Sequence, residues 1–259
     1  MKSATLDLIC CPACKTELDL QGDGYAAHLR CAACGANYPI HIGIPSFIAN
    51  DELEGPNRRF ARQYDRMAPF YTLFTKFAFL PFGGDRKARE EILQHLELNG
   101  GRILEISIGN GVNLPYLFEN EKMGELYGLD ISLGQLTQCS KLATKENLEV
   151  ELFHGMAEKL PFHDEMFDSI LHIGGINFFS GRQQAIDEMI RVAKPGCRIV
   201  VADEAEHLAK LLQKSSDGHS RTSIVDLVPA TMEEIQMHGI WRSHGKPHGY
   251  CLTFRKPVI

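Results

Sequence analysis

The chain of 259 residues has no excess of basic residues, no long apolar run and no obvious pair of catalytic acid and base. Asp and Glu outnumber Lys and Arg by 33 to 27, a formal charge of −6. Bulk charge therefore gives no attraction to phosphate backbones, and nucleic-acid binding would need a local patch. No apolar stretch approaches the roughly 20 residues that cross a bilayer. Met1 to Cys11 carries one lysine and no apolar core, so no signal peptide is expected. The eight cysteines are then expected to be reduced or metal-bound in a cytoplasmic setting, not paired. No internal repeat is visible.

What is present is a strand, a glycine turn and a helix in close succession. The apolar run from Arg102 to Ile106 ends in a loop with Gly109 and Gly111, and a helical segment follows from Asn113. Glycines let a backbone approach a nucleotide-like ligand closely, where a Cβ would clash or forbid the dihedrals. Nineteen residues after Gly111 a second apolar run ends in Asp130, an acid placed to accept from both ribose hydroxyls of an adenosine. In this order the two features point to an adenosine cofactor on a doubly wound sheet. A dinucleotide is disfavoured, because the third glycine of G-x-G-x-x-G is Leu114 here.

Glu105-x-Ser107-x-Gly109-x-Gly111 resembles the E/D-x-G-x-G-x-G loop of class I S-adenosylmethionine-dependent methyltransferases. Gly155-Met-Ala-Glu-Lys-Leu-Pro-Phe162, Phe167-Asp168 and Arg191-Val-Ala-Lys-Pro-Gly196 are similar to later segments of that family, in its order and spacing. The resemblance covers roughly residues 86–205. It implies that Glu105, Ser107, Gly109, Asn110, Gly111 and Asn113 face the methionine part of the cofactor. Asp130 and Ile131 would face the ribose, Met156, Ala157 and Glu158 the adenine, with His172 beside the cofactor. Two positions depart from the pattern. Ser107 replaces the first glycine, and Met156 stands where the family has an acid that accepts from the adenine amino group.

Cys11-Pro-Ala-Cys14 and Cys31-Ala-Ala-Cys34 are two C-x-x-C knuckles with 16 residues between them, the spacing of a four-cysteine zinc site. Structural Zn²⁺ would stabilise a segment too short for a core of its own. Cys10 is expected to be a non-ligand. Tyr38-Pro-Ile-His-Ile-Gly-Ile-Pro45 resembles the end of a zinc-ribbon family that includes a small activator subunit of several methyltransferases. A similar ribbon is fused to certain bacterial 23S rRNA guanine methyltransferases. Lys2, Lys15 and Arg30 stand against Asp7, Glu17, Asp19 and Asp23, which favours docking over an RNA clamp.

The expected organisation is a zinc ribbon over 1–50, a helical connector or lid over 51–85 and the methyltransferase domain over 86–259. The domain is α/β, with a doubly wound, mostly parallel, seven-stranded Rossmann-like sheet. Parallel strands are expected at 102–106, 126–129, 149–153, 168–173 and 198–202, and a closing hairpin at 239–244 and 249–256 around Lys246-Pro247. Helices are expected near 113–121, 134–146, 181–194 and 204–214. The lid reading gives Arg58, Arg59, Arg62 and Arg66, with Phe60, Tyr64 and Met67 between them, to the active site; the alternative is a solvated amphipathic helix packed over the domain. Substrate-side candidates are Tyr64, Tyr71, His172 and Asn177.

The acceptor expected is a small or hydrophobic molecule. The alternatives are an rRNA or tRNA methyltransferase, to which nine Lys/Arg against five Asp/Glu in 57–102 would contribute, and a non-catalytic module whose ribbon recruits a partner. Oligomeric state is not legible.

Overall fold

In the computed structural model residues 3–48, 53, 55–205 and 222–258 are described. The N-terminal unit has four short strands, β1 (Leu18–Gln21), β2 (His28–Cys31), β3 (Asn37–His41) and β4 (Ile44–Pro45), paired in that order. Its two knuckles are the same turn used twice. Lys15 N donates to Cys11 O at 2.7 Å and Gly35 N to Cys31 O at 2.9 Å. Lys15 and Gly35 sit in the left-handed region, with φ of 60° and 77°, so each chain reverses within four residues and its two thiols face one side.

Helices α1 (Gly55–Met67), α2 (Tyr71–Ala78) and α3 (Asp85–Leu93) lead to the large sheet. Strands and helices then alternate as β5 (Arg102–Ile106), α4 (Leu114–Phe118), β6 (Glu125–Asp130), α5 (Leu133–Glu146) and β7 (Val150–His154). They continue as β8 (Phe167–Ile173), α6 (Arg182–Val192), β9 (Ala193–Glu204), β10 (Glu233–Ser243) and β11 (Lys246–Arg255). The sheet order is β10-β11-β9-β8-β5-β6-β7, parallel from β9 to β7, with β11 and β10 antiparallel at one end. Ile103, Leu104, Ile106, Ile170, Leu171, Ile199 and Val200 are all buried, as parallel strands covered on both faces require. Chain direction across the sheet reverses between β5 and β8, which opens a crevice at the carboxyl ends of these strands.

Several boundaries differ from the sequence expectation for local reasons. Gly55 and Pro56 open α1 rather than break the chain, because proline at the start of a helix sacrifices no hydrogen bond. Lys194-Pro-Gly196 does not precede a strand at 198 but is its first turn of extended chain, since Ala193 already pairs with Phe167. The hairpin reverses at His244 and Gly245, with φ of 48° and 77°, and Lys246-Pro247 begins the returning strand. Of the helix expected near 204–214, Glu204 instead ends β9, and residues 206–214 fall outside the described residues.

The ribbon is welded to the domain through main chain and core. Cys10 N donates to Pro161 O at 3.0 Å, His163 N to Leu8 O at 3.0 Å, and Phe47 N to His154 O at 2.7 Å. Leu8, Ile9, Leu29, Tyr38 and Phe47 share one apolar cluster with Phe153, Phe162, Phe167 and Met189. Residues 44–47 lie along β7, whose outer edge would otherwise offer unpaired amides and carbonyls. His154 is pinned there between two elements. Its Nε2 is 3.1 Å from Ile131 O and so donates, and its Nδ1, 2.7 Å from Ser46 Oγ, accepts the hydroxyl proton because burial keeps the ring neutral.

Glu188 on α6 closes the same junction. Its Oε2 accepts from Lys15 Nζ at 2.9 Å, Leu160 N at 2.7 Å and Arg191 Nη2 at 2.9 Å. Replacing Glu188 with Ala leaves Lys15 and Arg191 without their shared carboxylate, and a loss of about 2–4 kcal/mol is expected. Urea unfolding followed by circular dichroism measures it, and a double-mutant cycle with Lys15→Met should show positive coupling between the two sites.

Candidate active site

The carboxyl ends of all five parallel strands meet at one crevice. Ser107 and Gly109 follow β5, Asp130 and Ile131 end β6, and Gly155, Ala157 and Glu158 follow β7. Gly174 and Gly175 follow β8, and Glu204 ends β9. Asn57, Phe60, Tyr64 and Tyr71 from α1 and α2 close the front, with Phe178 and Phe179 beside them. The space between these walls, open mouth included, is about 890 Å³.

The glycine loop is held by the acid that terminates the next strand. Asp130 Oδ2 accepts from Gly109 N and Oδ1 from Ser132 N, both at 2.8 Å. Burial pushes the Asp130 carboxyl up to about 6, while these N–H donors pull against it. The two glycines serve different ends. A Cβ on Gly109 (φ 58°) would meet nothing within 4 Å, so the position is left open toward the crevice. A Cβ on Gly111 (φ 79°) would lie 2.8 Å from Cys139 Sγ and Leu114 Cδ1, so this glycine serves the packing of α4 and α5. Ser107 adopts φ 60°, the left-handed conformation that a glycine would take without strain.

Other expected residues sit behind this surface. Glu105 is fully buried, and its Oε1 accepts from Asn113 Nδ2, while Asn113 Oδ1 accepts from Arg89 Nη1 at 2.6 Å. Burial pushes Glu105 up to about 7, and its Oε2 has no hydrogen-bond partner. Asn110 is buried. Met156 is half-buried, with Sδ 4.0 Å from Asn57 Nδ2. His172 is buried against Phe179, its Nδ1 donating to Ile106 O at 3.1 Å, and burial pulls it down to about 4, so the ring is neutral. Asn177 is a strut: Nδ2 donates to Glu204 O at 2.8 Å and Oδ1 accepts from Tyr250 at 3.4 Å. Of the expected residues Ser107, Gly109, Asp130, Ile131, Ala157, Glu158, Tyr64 and Tyr71 line the crevice; Glu105, Asn110, Gly111, Asn113, Met156, His172 and Asn177 do not.

Helix α1 is set the other way round from the arginine-bearing lid expected of it. Asn57, Phe60 and Tyr64, at i, i+3 and i+7, face the crevice, whereas Arg58, Arg59, Arg62 and Arg66 are exposed along the opposite side. Tyr64 and Tyr71 meet edge to face at 5.8 Å, and burial raises both phenols, Tyr71 to about 12. Asp65 fastens the helix to α5: its Oδ1 accepts from Ser132 Oγ at 2.6 Å and Gly134 N at 2.9 Å. Asn57 bridges as well, donating to Glu158 Oε1 at 3.0 Å and accepting from Ser180 N at 3.1 Å.

Phe60 and Tyr64, the aromatic residues between the arginines, do line the crevice as the lid reading expects; Phe178, Phe179 and Gln135 line it too, although the sequence reading did not single them out. Gln135 is 1% exposed, and its Oε1 lacks a hydrogen-bond partner although the residue lines the crevice. Glu204 faces the same space, with no cation beside it among the described residues. Burial, then the neighbouring Asp203 carboxylate, push it up to about 8. Among the described lining residues there is no Lys, Arg or His.

In the ribbon the Sγ atoms of Cys11, Cys14, Cys31 and Cys34 all lie within 4.8 Å of one another. The Cys14–Cys31 and Cys11–Cys34 separations are 3.4 and 3.6 Å. Thiolates at about 2.3 Å from one tetrahedral ion stand about 3.8 Å apart, so the donor set fits a metal ion. Tyr38 Oη is 3.2 Å from Cys11 Sγ, and Thr16 Oγ1 is 3.0 and 3.1 Å from Cys14 and Cys31 Sγ. Cys10 is buried and lies outside the cluster. No helix among the described residues is long and apolar enough to cross a membrane.

Comparison with known proteins places these features. The family model for a methyltransferase domain matches residues 104–201, and that for Trm112p-like proteins matches residues 2–43. The demethylmenaquinone methyltransferase of Thermotoga maritima is 33% identical over 143 residues, covering 55% of this chain and 60% of that protein. The chain spans from two fifths to about three fifths of the length of the first curated relatives it matches. In fold it is similar to the [4+2]-cyclase SpnF (TM-score 0.60, 19% identity, 78% of this chain and 97% of that one). It is also similar to a complex between the Haloferax volcanii Trm112 methyltransferase activator and a protein described as a methyltransferase (TM-score 0.58, 14% identity, 75% and 98%). Residues 104–201 therefore match the methyltransferase domain family and residues 2–43 the Trm112p-like family, the two joined in one chain.

Proposed function

We propose that the chain transfers a methyl group from S-adenosylmethionine to a small hydrophobic acceptor, with a structural zinc ion in its ribbon. The observation that carries this reading is the two-sided crevice: a polar donor end at Asp130 and Gly109, and an aromatic acceptor end at Tyr64, Tyr71, Phe178 and Phe179. A phosphate-bearing acceptor would find no cation among the described residues of that wall. The relatives that act on quinones, by their names, support the same class of acceptor.

S-adenosylmethionine supplies a methyl carried on a sulfonium and displaced by substitution, a reaction helped mainly by proximity and alignment. Asp130 is the residue for the ribose hydroxyls, since each of its oxygens keeps lone pairs beyond the one N–H it accepts. Gln135 Oε1 is an acceptor in want of a donor, and the open face of Gly109 gives close approach. Tyr64 and Tyr71, neutral and braced by each other, fit an aromatic or isoprenoid acceptor. The acceptor exchanges a proton for the methyl. Glu204 is the carboxylate on that side of the crevice, without a counter-ion among the described residues, and we assign it the proton.

Calorimetric titration of S-adenosylmethionine should give binding that Asp130→Asn weakens about tenfold or more, the loss of a charge-assisted hydrogen bond. Labelled methyl should pass from donor to an organic-soluble fraction of cell extract; nuclease-sensitive label would overturn the assignment of the acceptor. Gly109→Ala and Gly111→Ala should separate. Alanine at 111 is expected to cost about 2–3 kcal/mol of stability through overpacking and left-handed strain, and alanine at 109 to cost stability less but donor affinity more.

The Glu204 carboxylate is active only when ionised. With its value raised to about 8, kcat/KM should rise with pH to a plateau above that point and fall about tenfold per unit below it. Glu204→Gln should lower the plateau about a hundredfold and remove this limb from the profile.

A further inference from the structure

The arginine face of α1 takes no part in the crevice and has no ion-pair partner among the described residues. Arg58, Arg59, Arg62 and Arg66 line one shallow exposed groove along the helix, and none of them forms an ion pair among the described residues. Residues 55–83 hold five Lys or Arg against one Asp, in a chain whose net charge is −6. That lone acid, Asp65, is turned inward to Ser132 and Gly134. Directly after the arginines the chain exposes large apolar side chains: Phe70 is 71% exposed, Phe77 64% and Leu80 63%.

Cations and exposed aromatic or aliphatic groups on one short segment are the two components of a surface that settles on an anionic bilayer. The rest of the molecule is net acidic and would be repelled, so orientation is fixed by charge: the cap formed by α1 and α2 faces the lipid. A protein partner would be expected to bury these apolar groups against a matching acidic surface. A nucleic acid would use the arginines but leave Leu80 without a role. We propose that the cap is a docking surface for an anionic lipid bilayer, the arginines on the headgroups and Phe70, Phe77 and Leu80 at the acyl boundary. The inner side of the same helix carries Phe60 and Tyr64 into the crevice, so a bilayer-dissolved acceptor would meet the wall of the site where the protein touches lipid. The docking itself needs neither donor nor acceptor and stands apart from the methyl-transfer reading.

Sedimentation of the full chain with vesicles tests it. Phosphatidylcholine vesicles containing phosphatidylglycerol should retain the protein at least tenfold better than phosphatidylcholine alone, and added salt should release most of it. The variant Arg58→Gln/Arg62→Gln/Arg66→Gln should bind on the order of a hundredfold more weakly. Phe77→Ser/Leu80→Ser should lose the fraction that salt does not release. Both sets of residues lie outside the crevice, so S-adenosylmethionine titration and the thermal midpoint serve as controls for folding. Equal retention on neutral vesicles would overturn the proposal, as would undiminished binding of the arginine variant. Tight binding of transfer RNA by a protein that anionic vesicles do not retain would assign the surface to nucleic acid instead.

Discussion

The crevice depends on one buried carboxylate that organises main chain on both sides of it. Asp130 accepts the amide of Gly109 with one oxygen and that of Ser132 with the other. The first bond sets the course of the glycine loop, and the second fixes the entry to α5, where Ser132 Oγ caps Gln135 N at 3.1 Å. Ser132 in turn donates to Asp65, so the lid helix hangs from the same point. A carboxylate with buried N–H donors is worth far more in a low-dielectric crevice than at the surface, and the cost of burying it is met by those bonds. Loop, helix and lid therefore share one anchor.

The ribbon answers a different constraint. A sheet that ends in a parallel strand must hide that strand's outer edge. In many such folds a helix or a further strand does so; here residues 44–47 run along β7, held by Phe47 N, by Ser46 on His154 and by the Glu188 junction behind. Too few residues make up the ribbon for a self-sufficient core. It borrows one from the domain through Leu8, Ile9, Tyr38 and Phe47 and gathers four thiols between its two knuckles.

Much of this was legible because the determining signals are local. β5, its glycine loop and Asp130 announce themselves as apolar runs ending in turn residues, and the knuckles as C-x-x-C pairs. Residues whose roles depend on distant partners were not. Gly55-Pro56 reads equally as a break or a helix start, and only the body of α1 decides. Arginines at helical spacing drew attention to the wrong face of that helix, while Asn57, Phe60 and Tyr64 carried the same period and met the site. Glu105, Asn113 and His172 belong to the loop's neighbourhood in sequence but stand behind it, since alternate residues of a strand point to opposite sides. Gln135 has no motif at all; its place follows from the pitch of α5 after the Ser132 cap.

The strand that the ribbon shields continues into Gly155, Ala157 and Glu158, the far wall of the crevice. His154, last residue of that strand, is hydrogen-bonded at once to Ser46 in the ribbon and to Ile131 beside the donor end. The ribbon and the crevice wall at Ile131 are thus joined through one buried imidazole. Displacing residues 44–47 from the edge of β7 would therefore also remove a support of that wall.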